Sequence, residues 1–316
     1  MPTQANQPLP PGYQLQHYRI RSVLSRGSFS MVYIADDENE APVAIKEYLP
    51  AALALRSSGA SLPAIAEENR ATFAYGMRCF FEEGKSLAGL AHNNIVRVLN
   101  FFRANETAYM VMRYERGRTL EEHIRRHRGG IKEDFLRRMM SALLNGLREV
   151  HSNKLLHLDI KPANIYLRND GTPVLIDFGA ARQMLSQEAA QLSPMYTPGY
   201  AAPEQYGERR LLGPWSDIYS VGATLYACLA GNAPQSADGR VANEQYVPAR
   251  HRWAGRYSEH LLQTIDWCLR LDHLRRPQSV FELQKTLLRE RDPAVSLTSR
   301  SAEFRGLVAK LARWGG

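Results

Sequence analysis

The chain has 316 residues, 44% of them hydrophobic and 23% charged, with a net charge of +8 and a pI near 9.4. This composition is typical of a globular protein with one large domain or two smaller lobes, and its three cysteines form no close pair that would indicate a disulfide framework or a zinc site. No run reaches the roughly 18 apolar residues of a membrane span, and no basic-aromatic module for nucleic acid is present. We therefore expect no contact with a membrane or with nucleic acid. We also expect a cytoplasmic protein without a signal sequence.

Residues 1–17 are rich in proline and glutamine, and we predict that they form a flexible segment. Alternating apolar residues then predict strands over 18–24, 31–34 and 42–46, separated by polar turns. The last of these strands ends in Lys46. A lysine in this position either covers the edge of a sheet with its aliphatic stem or places a cation in a cleft, and the strand pattern alone does not choose between the two.

The turn between the first two strands contains a single glycine. It lies in the segment Leu24-Ser25-Arg26-Gly27-Ser28-Phe29-Ser30-Met31-Val32, which resembles the glycine-rich loop that covers the ATP phosphates in protein kinases. Gly27 holds the middle glycine position, whereas serines replace the first and third glycines and should stiffen the loop. The resemblance implies an ATP site, with Lys46 on the α- and β-phosphates. Its other expected contacts on these strands are Leu24, Gly27, Ser28, Val32 and Ala44.

A helix is predicted over residues 71–91, because its apolar residues recur at roughly helical intervals. It carries two adjacent carboxylates, Glu82 and Glu83. In kinases one helical glutamate pairs with the phosphate-binding lysine, and alignment with the family favours Glu83. The separation of Lys46 and Glu83 is long for the family. Residues 47–75 are therefore interpreted as an insertion, which is either inert or the binding site of a regulatory partner.

The strongest pattern lies between residues 155 and 179. Leu156-His157-Leu158-Asp159-Ile160-Lys161-Pro162-Ala163-Asn164 resembles the kinase catalytic loop. A predicted hairpin around Asn169-Asp170-Gly171 follows, and its second strand ends in Asp177-Phe178-Gly179. The resemblance implies that Asp159 accepts or orients the proton of the attacking hydroxyl and that Lys161 neutralises charge on the migrating phosphoryl group. Asn164 and Asp177 would hold Mg²⁺, with Mn²⁺ as an alternative.

Further matches continue along the chain. Residues 108–117 resemble the strand and hinge between the kinase lobes, so Met112 would close the back of the adenine pocket, and backbone groups of Arg113 and Glu115 would pair with the adenine edge. The resemblance also implies three residues with a structural role. Two of them form an ion pair, and the third is a buried acid at the start of the central helix. They are Glu204 with Arg276, and Asp217.

On these motifs the chain is identified as a member of the bacterial Hanks-type serine/threonine kinases. The resemblance implies an α+β, two-lobed fold, with a small antiparallel-sheet N-lobe carrying one main helix and a larger, mostly helical C-lobe. Its expected parts are an N-lobe over 18–112, a hinge over 113–117, a C-lobe over 118–292 and an amphipathic tail over 293–316. The implied activity is Mg²⁺-dependent transfer of the γ-phosphoryl group of ATP to Ser or Thr of proteins, with autophosphorylation and a signalling role.

Several alternatives stay open. The atypical phosphate loop and Leu158, which replaces an arginine common beside the catalytic aspartate, would also suit a kinase-like scaffold without turnover. A kinase-fold enzyme that phosphorylates a small molecule is the other alternative. Lys161 and Thr197 favour Ser/Thr over Tyr as the acceptor. The tail over 293–316 either packs on the large lobe or docks a partner or a membrane surface.

Overall fold

The computed structural model describes residues 5–127, 130–178 and 196–288. Its amino-terminal lobe is built on a six-stranded antiparallel sheet with the strand order β1-β2-β3-β4-β6-β5. The strands are β1 (Gln14–Leu15), β2 (Tyr18–Arg26), β3 (Ser30–Asp36), β4 (Pro42–Tyr48), β5 (Val98–Ala104) and β6 (Thr107–Arg113). The strands predicted over 18–24, 31–34 and 42–46 are present as β2, β3 and β4, and each is longer than predicted.

Strand β4 is the centre of this lobe. It pairs with β3 on one side and with β6 on the other, and every residue from Val43 to Tyr48 is buried. Directly paired residues of antiparallel strands share a face of the sheet, as do alternate residues of one strand. Lys46 is opposite Val32, and Ala44 is opposite Met112. The register therefore places these four side chains on the same face of the sheet.

Eight α-helices accompany this sheet in the described ranges. They are α1 (Arg70–Ala88), α2 (Leu120–His127), α3 (Glu133–Ser152), α4 (Pro214–Ala230), α5 (Ala237–Ala242), α6 (Ala249–Arg252), α7 (Glu259–Cys268) and α8 (Val280–Leu288). Helix α1 packs on β5 and β6 of the sheet. The central helix α4 begins at a proline and ends before Gly231, whose φ of 82° is a common helix stop. It buries every residue from Ser216 to Leu229, so it forms the core of the larger lobe.

A small second sheet lies where the lobes meet. It contains β7 (Gly117–Thr119), β8 (Ile165–Arg168) and β9 (Pro173–Leu175). Residues 94–96 of the smaller lobe form backbone hydrogen bonds with Leu175. This junction confirms the predicted α+β fold with a sheet-based N-lobe and a helical C-lobe. In the described ranges, no helix combines the length and the apolarity that a membrane crossing requires.

The structure adds detail to two expectations about the smaller lobe. In the segment that was predicted to be flexible, Leu9 is 1% exposed, and the Asn6 side chain donates to the Ala54 carbonyl at 3.1 Å. The predicted insertion also has other bounds, because residues 47 and 48 complete β4 and residues 70–75 begin α1. What lies between is a loop over 49–66 and the short 3₁₀ helix Glu67–Asn69. The predicted tail over 293–316 lies outside the described residues.

Candidate active site

A single carboxylate, that of Asp159, is held by three side chains. Its Oδ2 accepts hydrogen bonds from Lys161 Nζ at 2.7 Å and from Asn164 Nδ2 at 2.8 Å, and its Oδ1 accepts one from Thr197 Oγ1 at 2.7 Å. Lys161 Nζ also donates to Thr197 Oγ1 at 2.7 Å. Two donors come from the same short loop and the third from a distant segment, so hydrogen bonds from two parts of the chain fix the carboxylate in position.

The backbone of this loop is anchored by Asp217 at the start of α4. Its carboxylate accepts hydrogen bonds from the amides of His157 and Leu158 at 2.9 and 2.7 Å, and from His151 Nε2 at 2.7 Å. Burial opposes the charge of Asp217, but the hydrogen bonds and the charge interactions with His151 and His157 together outweigh it and keep the pKa of the carboxyl below its ordinary value. To point both amides at one carboxylate, Leu158 adopts a left-handed φ of 61°. The predicted buried acid is therefore in place.

The buried side chain of His157 stabilises the same loop. Burial lowers the pKa of its ring, which is neutral. Its Nε2 donates to the Ile176 carbonyl at 3.1 Å, and its Nδ1 accepts from the Asp159 amide at 3.2 Å. The ring also lies 4.3 Å from that of Phe178, which is 2% exposed. His157 thus couples the loop that carries Asp159 to the strand that leads to Asp177.

Lys46 bridges two carboxylates that come from different parts of the chain. Its Nζ lies 2.6 Å from Asp177 Oδ1 and 3.9 Å from Glu83 Oε1. Burial opposes the positive charge, but the carboxylates of Asp177 and Glu83 more than offset this and raise the pKa of Lys46 above its ordinary value. Lys46 is therefore a permanent cation on the cleft side of β4, which decides between the two sequence interpretations of this residue.

These groups surround one cavity of about 360 Å³. The predicted residues that line it are Gly27, Ser28, Lys46, Glu83, Asp159, Lys161 and Asp177. Residues that were not predicted as site residues line it as well: Phe29, Ser30, Tyr48, Gly76, Cys79, Phe80, Tyr196 and Thr197. The cavity thus brings the glycine-containing turn and the carboxylate cluster to one place.

The model of the protein kinase domain family matches residues 18–287. The chain belongs to the protein kinase family. Its fold is similar to the solved structure titled PpkA-294 apo form, with a TM-score of 0.80 and 34% sequence identity over 89% of this chain and 99% of that one. The predicted membership in this family is therefore confirmed.

Curated relatives of this kinase are named serine/threonine-protein kinases. The chain is 35% identical over 173 residues to kinase PknA of Nostoc, across 52% of this chain and 30% of that protein. It is 28% identical over 283 residues to serine/threonine-protein kinase C of Synechocystis, across 85% of this chain and 49% of that protein. The matches thus span between 30% and 49% of these relatives' length, and both relatives are bacterial, as the sequence predicted.

The two adjacent glutamates of α1 point in different directions in this kinase. Glu83 is buried and faces Lys46, whereas Glu82 is exposed. We expect Glu83→Gln to lower kcat/KM for ATP by about 10- to 100-fold, because a displaced lysine no longer meets the phosphates in the right geometry. Glu82→Gln is the matched control and should leave the value within about twofold. Steady-state kinetics of both variants check this, and equal effects of the two changes would contradict the assignment of Glu83.

The carboxylate of Asp177 and the amide of Asn164 fit a magnesium ion. Both offer hard oxygen atoms, which Mg²⁺ prefers. Asn164 Nδ2 donates to Asp159, so Oδ1 is the atom that would meet a cation. Asp177 remains 45% exposed at its side chain. Among the described residues, no group of three or more His, Cys, Asp or Glu side chains could hold a metal alone. A cation here would take its further oxygen ligands from water or from nucleotide phosphates.

The other residues predicted to contact ATP, including those expected at the adenine, do not line this cavity. Val32, Ala44 and Met112 share a sheet face with Lys46, as described above. The Arg113 amide already donates to the Arg97 carbonyl at 2.9 Å, so its carbonyl is the group left for a base. Glu115 binds Arg168 of β8 through two hydrogen bonds of 2.7 Å, which fixes the hinge to the larger lobe. Leu24 lies on β2 and is 50% exposed.

The sequence analysis did not predict that Tyr48 lines the cavity. It lies two residues after Lys46, so it shares the cleft side of β4. Its ring packs against Phe73 and Phe80 of α1, at 5.1 and 5.9 Å between centroids. A Cβ at position 76 would overlap the Tyr48 hydroxyl, which explains why a glycine interrupts the helix there. Two signals were therefore available, the strand alternation and the mid-helix glycine.

Leu158 takes part in an apolar contact at a position where the family often has an arginine. It is 1% exposed and packs with Leu156, Tyr196 and Leu212. The ring of Tyr196 also lies 4.3 Å from that of Tyr206. Because Tyr196 precedes Thr197, this contact holds the segment whose threonine binds Asp159.

The predicted architectural ion pair is also present in the larger lobe. Arg276 donates to Glu204 through both terminal nitrogens, at 2.8 and 3.1 Å, and both residues are buried. Ser216 Oγ donates to the same carboxylate at 2.7 Å, which connects it to α4. The pair is structural, because it does not line the cavity around Asp159.

Proposed function

We propose that this chain is an active kinase that transfers the γ-phosphoryl group of ATP to Ser or Thr hydroxyls of proteins, and that it phosphorylates itself. The arrangement around Asp159 carries the proposal. The carboxylate is held by Lys161, Asn164 and Thr197 at one end of a cavity whose other end contains Lys46 between Asp177 and Glu83. A scaffold without turnover would not need all of these charged and polar side chains.

Each charged group has a defined task in the proposed reaction. The acceptor oxygen forms a bond to the γ-phosphorus while the bond from that phosphorus to the β–γ bridging oxygen breaks, and ADP leaves. Asp159 orients the hydroxyl and takes its proton. Lys161, 2.7 Å from Asp159 Oδ2, neutralises charge on the moving phosphoryl group, and Lys46 binds the α- and β-phosphates. Mg²⁺ held by Asn164 and Asp177 supplies further charge neutralisation.

The position of Thr197 supports an aliphatic hydroxyl as the acceptor. Its Oγ1 lies 2.7 Å from Asp159 Oδ1 and accepts a hydrogen bond from Lys161. This contact brings the segment after residue 195 close to the catalytic carboxylate. A short Ser or Thr side chain on a peptide bound there would reach Asp159, whereas a tyrosine ring would need a deeper platform.

The proposed partners are proteins that present Ser or Thr to this cavity. A regulatory partner at residues 47–75 or 293–316, a location in the cytoplasm, and an absence of contact with membranes or nucleic acid remain predictions from the sequence.

Incubation with labelled ATP and a generic basic protein, with Mg²⁺ or Mn²⁺ and with a chelator, tests the proposed function. We expect metal-dependent incorporation into the protein and into the kinase itself, and phosphoserine or phosphothreonine after acid hydrolysis. Nucleotide binding without incorporation would favour a scaffold instead. Phosphotyrosine as the main product, or labelling of an aminoglycoside or choline but of no protein, would contradict the acceptor class.

A further inference from the structure

A buried ion pair lies on the side of β4 that faces away from the cavity. Glu47 follows Lys46, so its side chain points to the opposite face of the strand. Arg56 binds it through two nitrogens, at 2.5 and 2.8 Å, and both side chains are fully buried. Such a pair gives little net stability compared with apolar residues of the same size. Its position beside the phosphate-binding lysine therefore suggests a role other than stability.

The pair fixes the loop after β4 to three neighbouring strands. Tyr33 of β3 donates to Glu47 Oε2 at 2.7 Å and accepts from Arg56 Nη2 at 2.8 Å. Tyr109 of β6 donates to Glu47 Oε1 at 2.7 Å. Each carboxylate oxygen thus has partners on two elements. Arg56 cannot leave this position without uncovering a buried carboxylate.

Residues near the amino terminus close the same cluster from outside. Arg56 Nε donates to the Gln7 carbonyl at 2.8 Å, and the Arg56 amide donates to Asn6 Oδ1 at 2.6 Å. The Gln7 amide returns a hydrogen bond to the Arg56 carbonyl at 3.0 Å. These bonds order the backbone at residue 56 as well as its side chain.

The other end of the loop after β4 is bonded to residues 24–32, the segment that resembles the glycine-rich loop of kinases and is called the phosphate loop here. The Leu49 amide donates to the Phe29 carbonyl at 3.0 Å, and the Ala51 amide donates to the Ser28 carbonyl at 2.8 Å. Both acceptors line the cavity around Lys46. A turn in which the amides of residues 53 and 54 donate to the Pro50 carbonyl connects this end to Arg56. The phosphate loop is therefore tied to the buried ion pair through one short, hydrogen-bonded segment.

We propose that residues 49–56, anchored by the Glu47–Arg56 pair, position the phosphate loop over the cavity for ATP. The inference rests on the proposed function and deepens it. Ser28 and Phe29 follow the single glycine of this loop, and serines occupy the other two glycine positions, so its backbone has fewer accessible conformations than a glycine-rich one. The two hydrogen bonds from the amides of Leu49 and Ala51 hold the backbone of this loop in one of these conformations. Glu47 and Arg56 are thus positioning residues, which act without touching the nucleotide.

The double variant Glu47→Gln/Arg56→Met tests the anchor without leaving a lone buried charge. We expect the Kd for ATP, measured by calorimetric titration, to rise about tenfold, and the amides of Leu49 and Ala51 to exchange faster with deuterium. Glu133→Gln/Arg137→Met is the matched control, because it removes a partly buried pair in the larger lobe. It should lower the unfolding temperature without changing the Kd. A folded anchor variant with wild-type Kd and protected amides would overturn the proposal.

A second pair of variants addresses the hydrogen bonds directly, whether or not the double variant folds. Ala51→Pro removes the amide that donates to Ser28, whereas Ala51→Gly retains it, and the position is exposed. The proline variant should bind ATP about three- to tenfold more weakly than the glycine variant, and equal affinities would overturn the proposal. If the unaltered protein binds ATP but transfers no phosphoryl group, that result would contradict the proposed function and not the anchoring of the loop.

Discussion

Replacing Asp159 by asparagine is expected to lower kcat for phosphoryl transfer by about 10²- to 10⁴-fold, with little change in the Kd for ATP. Asparagine has the size of aspartate, so the neighbouring side chains stay in place. It has no carboxylate to take the proton of the attacking hydroxyl, and its neutral amide no longer pairs with Lys161, which lies 2.7 Å from Oδ2. Initial rates with a protein substrate, together with ATP titration, measure the two quantities separately.

Asp134→Asn is the matched control for this change. Asp134 is an exposed aspartate in the first turn of α3, away from the cavity. Its replacement should leave kcat within about twofold. If Asp159→Asn kept kcat within tenfold of the wild type while remaining folded, Asp159 would not be the residue that handles the proton.

Lys46→Met is expected to lower kcat/KM for ATP by about 10²- to 10³-fold. The change removes the cation that would bind the phosphates. It also leaves Asp177 and Glu83 without the charge between them, and their mutual repulsion then displaces the groups that should hold the metal. The Kd for ATP should rise as well, which distinguishes this variant from Asp159→Asn.

Lys85→Met provides the comparison, because Lys85 is an exposed lysine on the same helix as Glu83. We expect it to bind ATP and turn over like the wild type. Steady-state kinetics and thermal unfolding on all three proteins complete the test. An unfolding temperature of Lys46→Met far below that of the other two would attribute its loss of activity to misfolding, and a wild-type Kd for ATP would contradict the role of Lys46.

The cluster of polar side chains around Asp159 could be predicted because most of it is local in sequence. Asp159, Lys161 and Asn164 lie in one loop, and a single hairpin leads from them to Asp177, so motif spacing determines their neighbourhood. The choice of Glu83 over Glu82 was harder. Adjacent helical residues point about 100° apart, and only alignment with the family indicated which one faces the sheet.

The buried cluster around Arg56 could not be predicted, since it depends on contacts between distant residues. Nothing in the composition of residues 49–66 indicates that an arginine there is fully buried. The contacts of the amino-terminal residues could not be predicted for the same reason. Proline and glutamine give no periodic pattern, and the order at Asn6 and Leu9 comes from packing against the loop and the sheet. Local rules describe a segment by itself and miss partners that arrive from elsewhere.

The apolar packing of Leu158 against Tyr196 and Leu212 responds to physical conditions differently from a charged contact at the same position. An arginine–phosphate contact is created by a modifying enzyme and is weakened by salt. A hydrophobic contact needs no modification, is not screened by salt, and weakens on cooling. The contact of Leu158 with Tyr196 and Leu212 therefore needs no phosphate group, and cooling is expected to weaken it.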